Sequence, residues 1–119
     1  MTSVAIPSPA PSLTARERAH AAAATPTLVA GAVELLKALA STARLSIVLE
    51  LGRQELCVHE LVGATGMTQP LVSQHLRVLR GAGVVIARRR GRETAYSLTD
   101  EHLAHIAADA VRHAEETHR

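Results

Sequence analysis

The sequence predicts a mainly α-helical domain completed by a small β-hairpin. Three observations predict it. A short helical segment, a turn containing Gly66 and a longer helix with one apolar and one polar stripe follow one another between His59 and Gly83. The side-chain period then changes from helical to alternating, across Val84-Val85-Ile86-Ala87 and Thr94-Ala95-Tyr96-Ser97-Leu98, around a turn at Arg90-Gly91-Arg92. A last helical stretch, capped by Thr99, runs from about Asp100 to Glu116. In this order the pieces make a winged helix-turn-helix, expected to form a homodimer through its terminal helices. The chain of 119 residues has no Phe or Trp and a single Tyr, so its core must be Leu, Val, Ile and Ala. Such a core is thin, and burial against a second copy would add to it.

Residues 1–12 are mostly Met, Thr, Ser, Ala and Pro, which cannot bury a face. Residues 1–24 are therefore read as a flexible N-terminal arm and 25–119 as the winged domain. Within the arm, Leu13 to Ala24 favours helix and carries a charged patch at Arg16, Glu17 and Arg18. Thr25 and Pro26 suit an N-cap and a first helical position. Val29, Val33, Leu36 and Ala40 continue the helical spacing, so one helix is expected from about Pro26 to Leu39. Ser41 caps the next, with Leu45, Val48 and Leu49 facing inward and Gly52 stopping it. Gln54-Glu55-Leu56 is an extended stub, and His59 to Ala64 a brief helix ending near Gly66. Thr68 is the N-cap of the longer helix, with Pro70 in its first turn. Val72, Leu76 and Leu79 form its apolar stripe. Gln69, Ser73, Arg77 and Arg80 form the opposite one, with Gln74 beside it.

Thirteen Lys and Arg against eleven acids give a formal charge of +2 and a pI near 9.3, and all of the cations but Lys37 are Arg. Their distribution says more than their sum. Arg77, Arg80, Arg88, Arg89, Arg90 and Arg92 follow one another with no acid between them, an electrostatic footprint for a polyanion. Gln and Arg can make paired hydrogen bonds to adenine and guanine edges, and Ser73 and Thr68 can reach phosphates. His75 on the same helix suits packing or a phosphate contact. Arg88, Arg89, Arg90 and Arg92 of the hairpin would lie along the backbone or in the minor groove. Double-stranded DNA is the partner expected. No stretch approaches the roughly 18 apolar residues of a membrane span, and no apolar core follows a basic start as in a secretion signal. One cysteine excludes an intrachain disulfide and an all-cysteine metal site within one chain. A cytoplasmic protein is expected. No nucleophile stands beside a base. His59-Glu60 begins a helical zinc-protease motif, but position 63 is Gly where that motif requires His. An enzyme is not expected.

The last helix holds Asp100-x-His102 and His113-x-x-Glu116. His102 and His113 are eleven positions apart, almost three whole turns, so they share a face. They are also separated by about 16 Å along the axis, so one chain cannot close both on one ion. Two such helices packed antiparallel across a two-fold axis would bring Asp100 and His102 of one chain to His113 and Glu116 of the other. Two carboxylates and two imidazoles suit tetrahedral Zn(II).

From about Val33 to Glu116 the chain resembles the ArsR/SmtB family of metal-responsive winged-helix repressors. Leu39-Ala40-Ser41-Thr42-Ala43-Arg44-Leu45, Glu55-Leu56-Cys57-Val58-His59-Glu60-Leu61 and Val72-Ser73-Gln74-His75-Leu76-Arg77-Val78-Leu79-Arg80 carry the resemblance. It implies a homodimer whose apo form binds an operator, expected to be an inverted repeat, and whose zinc-bound form lets go. The family's zinc-sensing branch matches Asp100, His102, His113 and Glu116. The resemblance also suggests a backbone carbonyl near Gly83 as acceptor for the second N–H of His113. A second family site matches Cys57 and Glu60, with His59 as an added ligand. In relatives an arm from the other subunit completes that site with a cysteine and a histidine; this arm has His20 and no cysteine. The competing reading of Cys57 is a small buried hydrophobe. His105 and His118 could raise the coordination number towards six, as in the family's nickel and cobalt sensors. Two alternatives therefore stand beside a zinc sensor: a Ni(II) or Co(II) sensor, and a winged-helix regulator that ignores metal.

Overall fold

The computed structural model describes residues 14–22 and 25–118. The flexible segment expected over residues 1–12 lies outside them. Two compact units meet in sequence after Gly31. The first contains α1 (Ala15–Ala22), within the expected helical stretch, and the start of α2 (Pro26–Leu39). α1 opens on a reciprocal cap: the Glu17 N–H donates to Thr14 Oγ1 at 3.0 Å, and the Thr14 N–H donates to Glu17 Oε1 at 2.9 Å.

The second unit carries the rest of α2, then α3 (Thr42–Leu51), β1 (Leu56–Cys57), α4 (Val58–Thr65), α5 (Gln69–Gly81), β2 (Val85–Arg90), β3 (Glu93–Leu98) and α6 (Glu101–Thr117). Ser41 caps α3 as expected, its Oγ accepting the Arg44 N–H at 3.2 Å. Of the residues expected to face inward, Val48 is buried and Leu45 and Leu49 are half-buried against the core; Ile47 and Leu51 are buried as well, so the inward face is broader than expected. Apolar residues surround most of this helix, so spacing alone could not set the breadth of that face. Packing against α4, α5, α6 and β3 sets it.

The hairpin is longer than its β-favouring residues implied, because cross-strand pairing recruits the arginines into β2. Arg90 pairs with Glu93, leaving Gly91-Arg92 as a two-residue loop. Gly91, at φ 66°, stands first in that loop, where a primed hairpin turn needs a positive φ. The extended stub expected at Gln54-Glu55-Leu56 becomes a third strand, shifted to Leu56–Cys57. β1 pairs antiparallel with β3, Leu56 opposite Tyr96 and Cys57 opposite Ala95, in the order β1-β3-β2. A two-residue strand has too little pattern of its own, and only its partner reveals it.

Ile47, Val48, Leu61, Val72, Leu76, Leu79, Val84 and Val85 form the aliphatic centre, with Leu103 and Ala107 of α6 against it. The N-cap of α6 is Asp100 and not Thr99: the Asp100 Oδ1 accepts the Leu103 N–H at 3.3 Å, while the Thr99 hydroxyl is turned to the Gly83 carbonyl. Beyond Ala107 every described residue of α6 is exposed. On α2, Ala38 and Leu39 are buried, but Val33 and Leu36 are 43% and 53% exposed, with Leu28 and Val29 also exposed earlier in the helix. Within this single chain, both terminal helices leave apolar side chains in water.

Candidate nucleic-acid interface and metal centres

The helix-turn-helix is set by a glycine. Gly66 adopts φ 75° and its N–H donates to the Val62 carbonyl at 2.9 Å, closing α4 in a left-handed turn that disfavours other residues. Thr65 stiffens the corner: its hydroxyl donates to Leu61 O at 2.7 Å and accepts the Met67 N–H at 3.3 Å. Thr68 occupies the N-cap of α5 but makes no side-chain capping bond, so its hydroxyl is uncommitted. Val72, Leu76 and Leu79 are fully buried. On the opposite side Gln69, Gln74, Arg77 and Arg80 are exposed, and Ser73 and His75 half-buried. His75 Nδ1 lies 3.5 Å from an Arg44 Nη, which makes it a packing residue against α3.

The structure separates the four wing arginines into two kinds. Arg88 forms a two-pronged pair with Glu55, at 2.5 and 2.6 Å, and Arg90 bonds Glu60 at 2.6 Å. Among the described residues, neither Arg89 nor Arg92 has an ion pair, and both are exposed. Glu55 and Glu93 were not singled out in the sequence. The available signal was that Glu93 is the first acid after the arginine run and that Glu55 lies within the extended stub. Only the β1–β3 pairing brings them to the wing.

Glu60 is the most constrained carboxylate described. Its Oε1 accepts the Cys57 backbone N–H at 2.9 Å, bonds Arg90, and accepts from the Cys57 thiol at 3.1 Å. These bonds, in that order, hold its carboxyl at about 2, below the ordinary 4.5. A depressed folded value means that this contribution to stability is present above pH 4.5 and is lost as pH falls towards 2. Glu60→Gln should therefore lose less stability than wild type between those pH values in acid-dependent denaturant unfolding. Parallel loss in both proteins would show that Glu60 carries no such linkage.

Cys57 is 1% exposed, and burial, followed by the neighbouring Glu60 and Glu93 carboxylates, pushes its thiol pKa up. Its Sγ lies 3.1 Å from His59 Nδ1 and 3.5 Å from Glu93 Oε1, and His59 Nδ1 lies 2.7 Å from the same Glu93 oxygen. Cys57 and His59, both expected as ligands, are thus together, and Glu93 joins them. His20 falls in α1, but its side chain lies outside the described residues.

His102, His113 and Glu116 are exposed, and Asp100 caps α6. About 16 Å of helix separates the two imidazoles, so the donor set fits a tetrahedral cation only when a second copy supplies half of it. The Gly83 carbonyl, near the acceptor expected for His113, takes the Thr99 hydroxyl at 2.7 Å. That bond ties the chain just before α6 to the segment just after α5. Among the described residues no helix is long and apolar enough to cross a membrane.

Residues 41–87 match the model of the bacterial regulatory protein family arsR. The HTH-type transcriptional repressor SmtB of Mycobacterium tuberculosis is 59% identical over 83 residues, which are 70% of this chain and 62% of that repressor. The chain thus spans less than two thirds of that relative's length. The homodimeric winged helix-turn-helix DNA-binding domain Mb0332 of Mycobacterium bovis superposes with a TM-score of 0.68 at 33% identity, over 76% of this chain and 83% of that one. The cadmium metal-sensor CMTR of M. tuberculosis superposes with a TM-score of 0.58 at 36% identity, over 65% and 80% of the two chains.

Proposed function

The chain belongs to the arsR family of bacterial regulatory proteins, and on that premise we propose that it is a dimeric transcriptional repressor released from its operator by zinc. One observation carries the DNA-binding part: α5 buries Val72, Leu76 and Leu79 completely while presenting Gln69, Gln74, Arg77 and Arg80 to solvent beside a basic hairpin. A helix so anchored has its polar stripe free for a major groove. Thr68 and Ser73 are placed to contact phosphates at its N-terminal end. The operator of a two-fold dimer is an inverted repeat, because each half-site meets an identical reading helix.

The metal part rests on α6. Asp100 and His102 of one subunit would hold the ion with His113 and Glu116 of the other. When bound, the ion supplies a coordination cross-link between subunits. The residues that communicate with the DNA face belong to this chain: α6 packs on α3 and β3, and Thr99 is bonded to Gly83 behind the reading helix. The exposed His105, one turn after His102, supports a second reading with a six-coordinate Ni(II) or Co(II) site. The absorption spectrum of the cobalt form, four-coordinate against six-coordinate, decides between them.

Two classes of variant test the interface. Arg89→Ala and Arg92→Ala should weaken binding to every sequence, each lowering the salt slope by about 1. Arg77→Ala and Gln74→Ala should cost about 1–3 kcal/mol on the preferred operator and relax sequence preference at the position read. Fluorescence anisotropy across a salt series, on operator and scrambled duplexes, measures both. Wing variants that match wild type at every salt concentration would remove the wing from the interface.

A further inference from the structure

On the DNA-binding reading of this chain, we propose that Glu55 and Glu60 withhold two of the four wing arginines from DNA, so that Arg89 and Arg92 carry the wing's phosphate contacts. The strand register creates the arrangement. Arg88 pairs with Ala95 on β3, and Ala95 pairs with Cys57 on β1. Arg88 therefore reaches Glu55, two residues before Cys57, by passing over β3 at its smallest side chain, the buried Ala95. Arg90, two positions along the same face of β2, meets Glu60 in the first turn of α4. Arg89 projects from the other face, opposite Thr94, and Arg92 lies in the turn.

The contacts explain why a phosphate does not displace the acids. Nε and Nη2 of Arg88 donate to the two Glu55 oxygens at 2.5 and 2.6 Å, and Nη1 donates to the Arg89 carbonyl at 3.5 Å. This is the two-pronged geometry in which a guanidinium binds carboxylate or phosphate, so the fork already holds what a phosphate would offer. The Glu55 side chain is only 22% exposed, which shields the pair from screening by salt. An Arg88 that left Glu55 for DNA would leave a bare carboxylate beside a polyanion, and that repulsion cancels the gain. Arg90 is held more firmly still. Its partner oxygen, Glu60 Oε1, also accepts the Cys57 N–H at 2.9 Å, so the pair is built into the start of α4.

Each ion pair is neutral as a unit and displaces no counterion from DNA. The wing of each subunit thus contributes about two units to the salt slope, where four arginines would contribute about four. Glu55 and Glu60 act through the arginines they hold. They are positioning residues that set the wing against the helix-turn-helix and hold down sequence-independent affinity. Base contacts from α5 then supply a larger share of the binding.

The test uses the full-length metal-free protein and a labelled duplex enriched from random sequence by the wild type, with a scrambled duplex beside it. Fluorescence anisotropy over a salt series is the readout. Arg88→Ala should keep the wild-type salt slope, whereas Arg89→Ala lowers it by about 1. Glu55→Gln frees Arg88 for a phosphate and should steepen the slope by about 1. Its affinity relative to wild type should grow roughly 3–4-fold between 200 and 50 mM salt, on both duplexes alike. Glu55→Gln combined with Arg88→Ala should return to the wild-type slope. A slope lowered by Arg88→Ala as much as by Arg89→Ala overturns the proposal and leaves the DNA-binding wing standing. An unchanged slope in Glu55→Gln overturns it too, as does a steepened slope that survives in the double variant. If Arg89→Ala and Arg92→Ala also keep the wild-type slope, the wing does not meet DNA, and the proposal falls with that reading.

Discussion

His113→Ala should bind operator DNA like the wild-type apo protein and fail to release it when zinc is added. The response at stake is about 1–3 kcal/mol of coupling, up to roughly 150-fold in affinity. His113 lies on the fully exposed half of α6, beyond the last buried residue, Ala107, so its removal takes nothing from the core. It also lies on a different element from the α5 stripe and the wing, so apo binding should survive. His102→Ala should behave alike, because one ion needs both imidazoles, one from each subunit. Cys57→Ser should keep zinc-driven release, which separates the α6 set from the cluster at the wing. Anisotropy of a labelled operator, with and without zinc, measures all three. Full zinc-driven release by His113→Ala would refute the α6 assignment, and its loss in Cys57→Ser alone would move regulation to the wing cluster.

Leu36→Glu should turn the proposed dimer into a monomer and lower operator affinity by roughly 10²–10⁴-fold, the advantage of linking two reading heads. Leu36 is 53% exposed and Val33 43% exposed on α2, while Ile106 and Val111 on α6 are 36% and 43% exposed. A protein with so small an aliphatic core would not be expected to leave these in water unless a partner covers them. A charge at position 36 costs the single chain little, since the site is already wet, but it is expensive inside a dry interface. Circular dichroism should show unchanged helix content while sedimentation equilibrium shows a lighter species. A Leu36→Glu protein that remains dimeric would place the interface elsewhere.

What was legible in the sequence was whatever repeats at short range. The helix over Pro26–Leu39, the Ser41 cap, the Gly66 turn and the buried stripe of Val72, Leu76 and Leu79 all depend on neighbours within about one or two turns. The spacing of the proposed α6 ligands was legible for the same reason, since helix geometry alone puts His102 and His113 on one face and too far apart for one ion. The tertiary structure decided whatever depends on residues distant in sequence. The spacing found Leu45, Val48 and Leu49 on the inward side of α3, but only its neighbours made Ile47 and Leu51 the more deeply buried. The two-residue strand β1 exists only because β3 supplies its hydrogen bonds, and its register alone brings Glu55 to Arg88 and Glu93 to Cys57 and His59. Local patterns report the preferences of a segment. Pairing between segments more than 30 positions apart is set by the shared burial and backbone bonding of both partners, which neither segment encodes alone.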